Sequence, residues 1–110
     1  MDIEQLRREA ERDEVKAEEK RRQADNFRRE SENYSEGDAR AEQRSSEAER
    51  YEQEADNLEQ QAAKSRQELQ QKEAQLSQLQ QQRRQLQDRH EAELHRIDQQ
   101  IADLSGNHML

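Results

Sequence analysis

One series at a spacing of seven runs the length of the chain: Leu6, Asp13, Lys20, Phe27, Tyr34, Ala41, Ala48, Ala55, Ala62, Leu69, Leu76, Arg83, His90, Ile97 and Leu104. Most members are apolar or small. An α-helix makes a turn every 3.6 residues, so a recurrence at seven stays on one side only when neighbouring helices underwind around each other. The series therefore predicts an all-α chain, one long helix that is continuous or interrupted once. It is expected to form a left-handed coiled coil with a parallel dimer as its assembly.

Composition leaves little room for anything else. Only 27% of the 110 residues are apolar and 42% are charged, too little to offset about 1 to 2 kcal/mol of backbone entropy per residue in a globule. Disorder is disfavoured as well, because the chain has no Pro and two Gly and is dominated by the strong helix formers Glu, Gln, Arg, Ala and Leu. The net charge of -8 arises from 27 acids and 19 bases closely mixed, a surface suited to lateral ionic pairing rather than to attracting nucleic acid.

The companion positions of the series vary. Ile3, Ala10, Ala17, Ala24 and Ser31 precede its members by three residues, whereas Leu58, Leu79 and Leu86 follow theirs by three. The switch implies a three-residue stammer near Ser45, Ala48 and Tyr51, and the step from His90 to Leu94 implies a stutter. The strongest seam lies at 69–104. Its eight large aliphatics, at about 1.5 to 3 kcal/mol for each buried side chain, offer on the order of 10 to 20 kcal/mol before entropy is counted.

The first third of the chain is poorer in large seam residues, and Asp13 and Lys20 occupy seam positions. Residues 1–34 thus read as a charged, weakly pairing helix that splays or stands alone. It would be supported by acid-to-base pairs such as Glu4 to Arg8, Glu18 to Arg22 and Glu36 to Arg40, at about 0.2 to 0.5 kcal/mol each. Ser35, Gly37 and Asp38 mark 35–38 as a possible hinge or hairpin turn. The continuous rod remains the first expectation, since Gly costs a helix only about 1 kcal/mol. Residues 39–105 read as the coiled-coil rod and 106–110, after the helix stop at Gly106 and Asn107, as a frayed tail.

Ala41, Ala48, Ala55 and Ala62 let two backbones approach closely. In this one compositional feature they resemble the alanine clusters of tropomyosin-type coils, which implies a narrow coil or a bend or docking zone there. The expected oligomer interface comprises Leu69, Leu76, Leu79, Arg83, Leu86, His90, Leu94, Ile97, Ile101 and Leu104. Within it Arg83 and His90 are polar layers of the kind that fix register or oligomer state.

No catalytic, cofactor-binding or metal residue is expected. Cysteine is absent, His90 and His95 point about 140° apart on a helix, and a rod lacks the water-excluding cleft that paired acids need for catalysis. The paired arginines, such as Arg28 and Arg29, sit among acids, which opposes phosphate binding. No apolar run reaches the length of a membrane span, and the amino-terminal residues lack the layout of a signal peptide, so a soluble cytoplasmic protein without a small-molecule substrate is expected. These readings converge on a non-enzymatic scaffold: a spacer, oligomerisation element or filament building block that pairs with itself or a related coiled coil. The alternative is an adaptor or regulatory helix that pairs with a different protein.

Overall fold

The computed structural model describes residues 1–106. It contains two helices, α1 over Ile3–Glu32 and α2 over Ala39–Ser105, and it divides into the units Met1–Lys72 and Glu73–Leu110. The first unit holds α1, a turn and the opening part of α2. The second holds the remainder of α2.

Local chemistry explains where the helices begin. The Asp2 carboxylate accepts from the Gln5 backbone N–H at 2.8 Å while the Gln5 side chain accepts from the Asp2 N–H at 2.9 Å. This reciprocal box satisfies donors that the first helical turn otherwise leaves open. Asp38 starts α2 in a related way. Its carboxylate accepts from the Arg40 N–H at 2.9 Å, and its carbonyl accepts from the Ala41 and Glu42 N–H groups.

Between the helices, α1 closes with the N–H groups of Asn33 and Tyr34 donating to the carbonyls of Glu30 and Ser31. A tight turn then forms as the Asp38 N–H donates to the Ser35 carbonyl at 3.0 Å. Gly37 is the third residue of that turn, with φ of 85°, and among the described residues no non-glycine has a positive φ. This is the pattern of a type II turn, which requires a left-handed residue at that place. A Cβ on Gly37 would meet nothing within 4 Å, so the penalty for a side chain there is purely one of backbone. Gly37→Ala is expected to lower hairpin stability by about 1 kcal/mol and Gly37→Asn by less, because Asn tolerates the left-handed region better. Thermal melting of the three chains checks this, and equal melting would show that the turn does not hold this geometry.

The turn reverses the chain, and α1 lies antiparallel against α2. From α1 the buried residues are Leu6, Ala10, Asp13, Ala17 and Ala24; from α2 they are Ala48, Ala55, Ala62 and Leu69. The alanines are no more than 3% exposed, and among the described residues Leu6 is the one large side chain that is fully enclosed. A seam built from Cβ atoms lets the two backbones come close, so the burial is gained by many small contacts rather than a few large ones.

The helix is thus interrupted once, and the continuous rod that stood as the first expectation is not adopted. Residues 1–34, expected to splay or stand alone, instead lie along α2. A six-residue connection closes at small entropic cost, whereas pairing with a separate molecule must also overcome lost translational freedom, so a modest alanine seam suffices within one chain. Asp13 and Lys20 are accommodated at the edge of that seam. Arg12 Nε lies 3.9 Å from the Asp13 carboxylate, and Lys20 Nζ lies 2.9 Å from Glu54 and 4.9 Å from the centre of the Tyr51 ring.

In the second unit α2 runs to Ser105, whose hydroxyl donates back to the carbonyls of Ile101 and Ala102. Gly106 follows with φ of 79°, the left-handed conformation that commonly ends a helix. Most of the predicted tail, from Asn107 onward, lies outside the described residues.

Candidate functional site

Two surfaces carry chemistry: the polar edge of the hairpin, and an apolar stripe on the second unit. Along the hairpin, a set of arginine–glutamate pairs at heptad spacing crosses between the helices. Arg66 donates to Glu14 at 2.8 Å, Arg21 to Glu59 through two nitrogens at 2.8 Å each, and Arg28 to Glu52 at 2.7 and 2.9 Å. Arg21 also reaches Asp56 at 2.7 Å. Residues 14, 21 and 28 are spaced by seven, and so are 52, 59 and 66. Read in opposite directions the two series match, which identifies the pairs as a register device flanking the seam.

Near the turn the packing becomes aromatic. Phe27 and Tyr51 stack with centroids 5.4 Å apart and planes 11° from parallel. Arg44 lies 5.9 Å from the Phe27 ring and also bridges to Glu30 at 3.2 Å, and Arg40 lies 4.6 Å from the Tyr34 ring. These contacts place cations over ring faces, where the quadrupole attracts them.

The Arg66, Arg28 and Arg21 hydrogen bonds hold the carboxyls of Glu14, Glu52 and Glu59 below their ordinary value of 4.5. For groups lowered in the folded state, the stabilisation is fully present above that ordinary value and is lost as pH falls through the lowered one. The hairpin should therefore melt at lower temperature at about pH 3 than at about pH 6, since native carboxylates must then take up protons. A Glu14→Gln, Glu52→Gln, Glu59→Gln chain should show a flatter dependence, read from the near-ultraviolet signal of Tyr51. An unchanged slope in that triple variant would remove these pairs as its cause.

The second surface collects most of the predicted interface. Leu76, Leu79, Leu86, Leu94, Ile97, Ile101 and Leu104 are between 44% and 91% exposed, and Arg83 and His90 are exposed among them. At about 100° per residue all nine fall within a stripe roughly 80° wide on one side of the helix. Seven large aliphatics aligned in this way greatly exceed the scattered apolar residues of an ordinary surface. Leu69 is the exception in the predicted set. It is 5% exposed and belongs to the hairpin unit, so it serves the intrachain core rather than the open stripe.

Sequence reasoning missed the cross-helix pairs because it looked for partners three or four residues away. Glu4 with Arg8 at 3.5 Å and Glu18 with Arg22 at 3.8 Å follow that rule. Arg40, expected to pair with Glu36, turns to Asp38 at 2.9 Å. The matched series of sevens, read in reverse, was the signal that would have revealed the others.

Among the described residues no group of three or more His, Cys, Asp or Glu could hold a metal ion, and no helix is long and apolar enough to cross a membrane. Beside the stripe, Gln80, Arg83, Arg84 and Gln87 line a shallow hollow open to solvent. No family model, curated protein or solved structure matches this chain.

Proposed function

We propose that the chain is a non-enzymatic structural element that associates through the stripe on residues 76–104, acting as an oligomerisation element or spacer in a larger assembly. The observation that carries this reading is the alignment of seven exposed large aliphatics on one side of a helical segment. Burying one such side chain is worth about 1.5 to 3 kcal/mol, and a helix shields a stripe of this width most completely with another helix. On either side of His90 the alternation of steps of three and four fits a left-handed coiled coil, and the two successive steps of four that meet at His90 are the stutter. The hairpin covers its own small-residue seam, which leaves the stripe as the surface that gains most from a partner.

Sedimentation equilibrium over a wide concentration range, with helicity measured on the same samples, tests the proposal. Mass should rise with concentration, and helicity with it. A chain that stays monomeric throughout would refute self-association and favour the second reading, an adaptor helix whose stripe is reserved for a different protein. Retention on an anionic column that falls steeply with salt would instead point to nucleic acid, which this acidic chain is expected to ignore.

A further inference from the structure

The stripe has a symmetry that parallel pairing does not use. Counted from His90, its members stand at four residues on either side (Leu86 and Leu94), at seven (Arg83 and Ile97), at eleven (Leu79 and Ile101) and at fourteen (Leu76 and Leu104). All of them are exposed. From these placements we infer that the occupant of the stripe is a second copy of this chain running antiparallel, related by a two-fold axis at His90. The inference rests on the self-association proposed above and adds its direction and register.

In this register every member of the stripe faces another member. Leu76 meets Leu104, Leu79 meets Ile101, Leu86 meets Leu94, and Arg83 meets Ile97. A two-fold repeats each layer, so one stripe of nine residues supplies a closed set of contacts. The end of the helix agrees. Ser105, its last residue, falls opposite Gln75, so the overlap covers the whole stripe and ends with it.

Charge separates the two directions. Before His90 the segment carries Arg83, Arg84 and Arg89 against Asp88; after it come Glu91, Glu93, Asp98 and Asp103 against Arg96. An antiparallel partner lays the basic half over the acidic half, while a parallel partner lays each half over its like. The seam itself repeats the argument. Parallel pairing stacks Arg83 on the same arginine of the other chain, two charges in one apolar layer. Antiparallel pairing sets it against Ile97, with Glu93 and Asp98 of the second copy on either side to receive the guanidinium.

Flanking residues follow suit. Arg89 and Glu93 border the stripe on the same side, so the two-fold places Arg89 of each copy beside Glu93 of the other. Parallel pairing instead brings Glu93 to the flank that carries Glu91 and Asp98. The two-fold also sets Arg84 level with Arg96, but each lies about 120° from the centre of the stripe and points away from the contact.

Disulfide trapping in the full chain, which has no native cysteine, decides the direction. His90→Cys should link to itself, as the axis requires. An equimolar mixture of Leu79→Cys and Ile101→Cys chains should form the mixed disulfide. Leu79→Cys alone should not link, because its two copies would stand 22 residues apart along the axis, roughly 33 Å, far beyond the about 7 Å that a disulfide can bridge. Linking of Leu79→Cys with itself in a chain that sediments as a dimer would establish parallel pairing, which overturns this inference and leaves the proposed function standing. A dimer in which neither the mixture nor His90→Cys links would overturn the register. A chain monomeric at every concentration would remove the proposed function and this inference together.

Discussion

The Leu86→Asp, Leu94→Asp chain is expected to lose self-association, its dissociation constant rising by about 100-fold or more. Each leucine contributes about 1.5 to 3 kcal/mol when buried, and 1.4 kcal/mol is a tenfold change, so the four leucines lost from a pair of chains more than cover this factor before any charge is considered. Charge adds to the loss, because in the antiparallel register Leu86 of one copy faces Leu94 of the other and the two central apolar layers become four crowded carboxylates. Sedimentation measures the loss. The near-ultraviolet signal of Tyr51, stacked on Phe27 in the hairpin, should melt as before, since neither substitution touches that unit. An unaltered concentration dependence of mass would show that the stripe is not the contact surface.

Ala55→Leu is expected to strike the other unit and spare the stripe. Ala55 is 0% exposed, and Ala24, which the Arg21–Glu59 and Arg28–Glu52 pairs bring level with it on the other helix, is 1% exposed. A leucine in that layer either forces its neighbours off their rotamers or pushes the helices apart, and separation strips contact from Ala48 and Ala62 as well. Overpacking of this kind costs about 1 to 3 kcal/mol, and the thin seam places the expected value near the upper end. Thermal unfolding followed at Tyr51 should register a lower midpoint, with dimerisation unchanged when the hairpin is folded. The loss should shrink when Ala48 and Ala62 also become leucine, because a uniformly wide seam restores contact between the helices. A single variant as stable as the parent would mean that the backbones are not in close approach at Ala55.

The two substitutions separate what the chain spends on itself from what it offers outward. Alanines suit the first task. An intramolecular pairing through a short turn needs little apolar area, and small residues give close contact with register supplied by Arg21, Arg28 and Arg66. Leucines and isoleucines suit the second, where lost translational and rotational freedom must be offset by larger side chains. Under the proposed function, the unequal quality of the two seams, legible as Ala41 to Ala62 against Leu76 to Leu104, corresponds to two kinds of partner.

Helix was readable from the residues alone, because propensity and the series of sevens are properties of neighbours along the chain. So was the weak point at 35–38, where Ser35, Gly37 and Asp38 carry turn chemistry in their own side chains and backbone. Whether the chain passes straight through that point or folds back was not readable. A Gly within a helix costs only about 1 kcal/mol, and the balance is set by contacts between residues some 14 to 52 positions apart, such as Ser31 with Ser45 and Glu14 with Arg66. A heptad stripe declares that it needs a cover and is silent on which helix supplies it. For Leu69 the cover is this chain's own hairpin, while the apolar residues from Leu76 to Leu104 stay exposed, a division set by contacts between residues far apart in sequence and so without signature in local pattern.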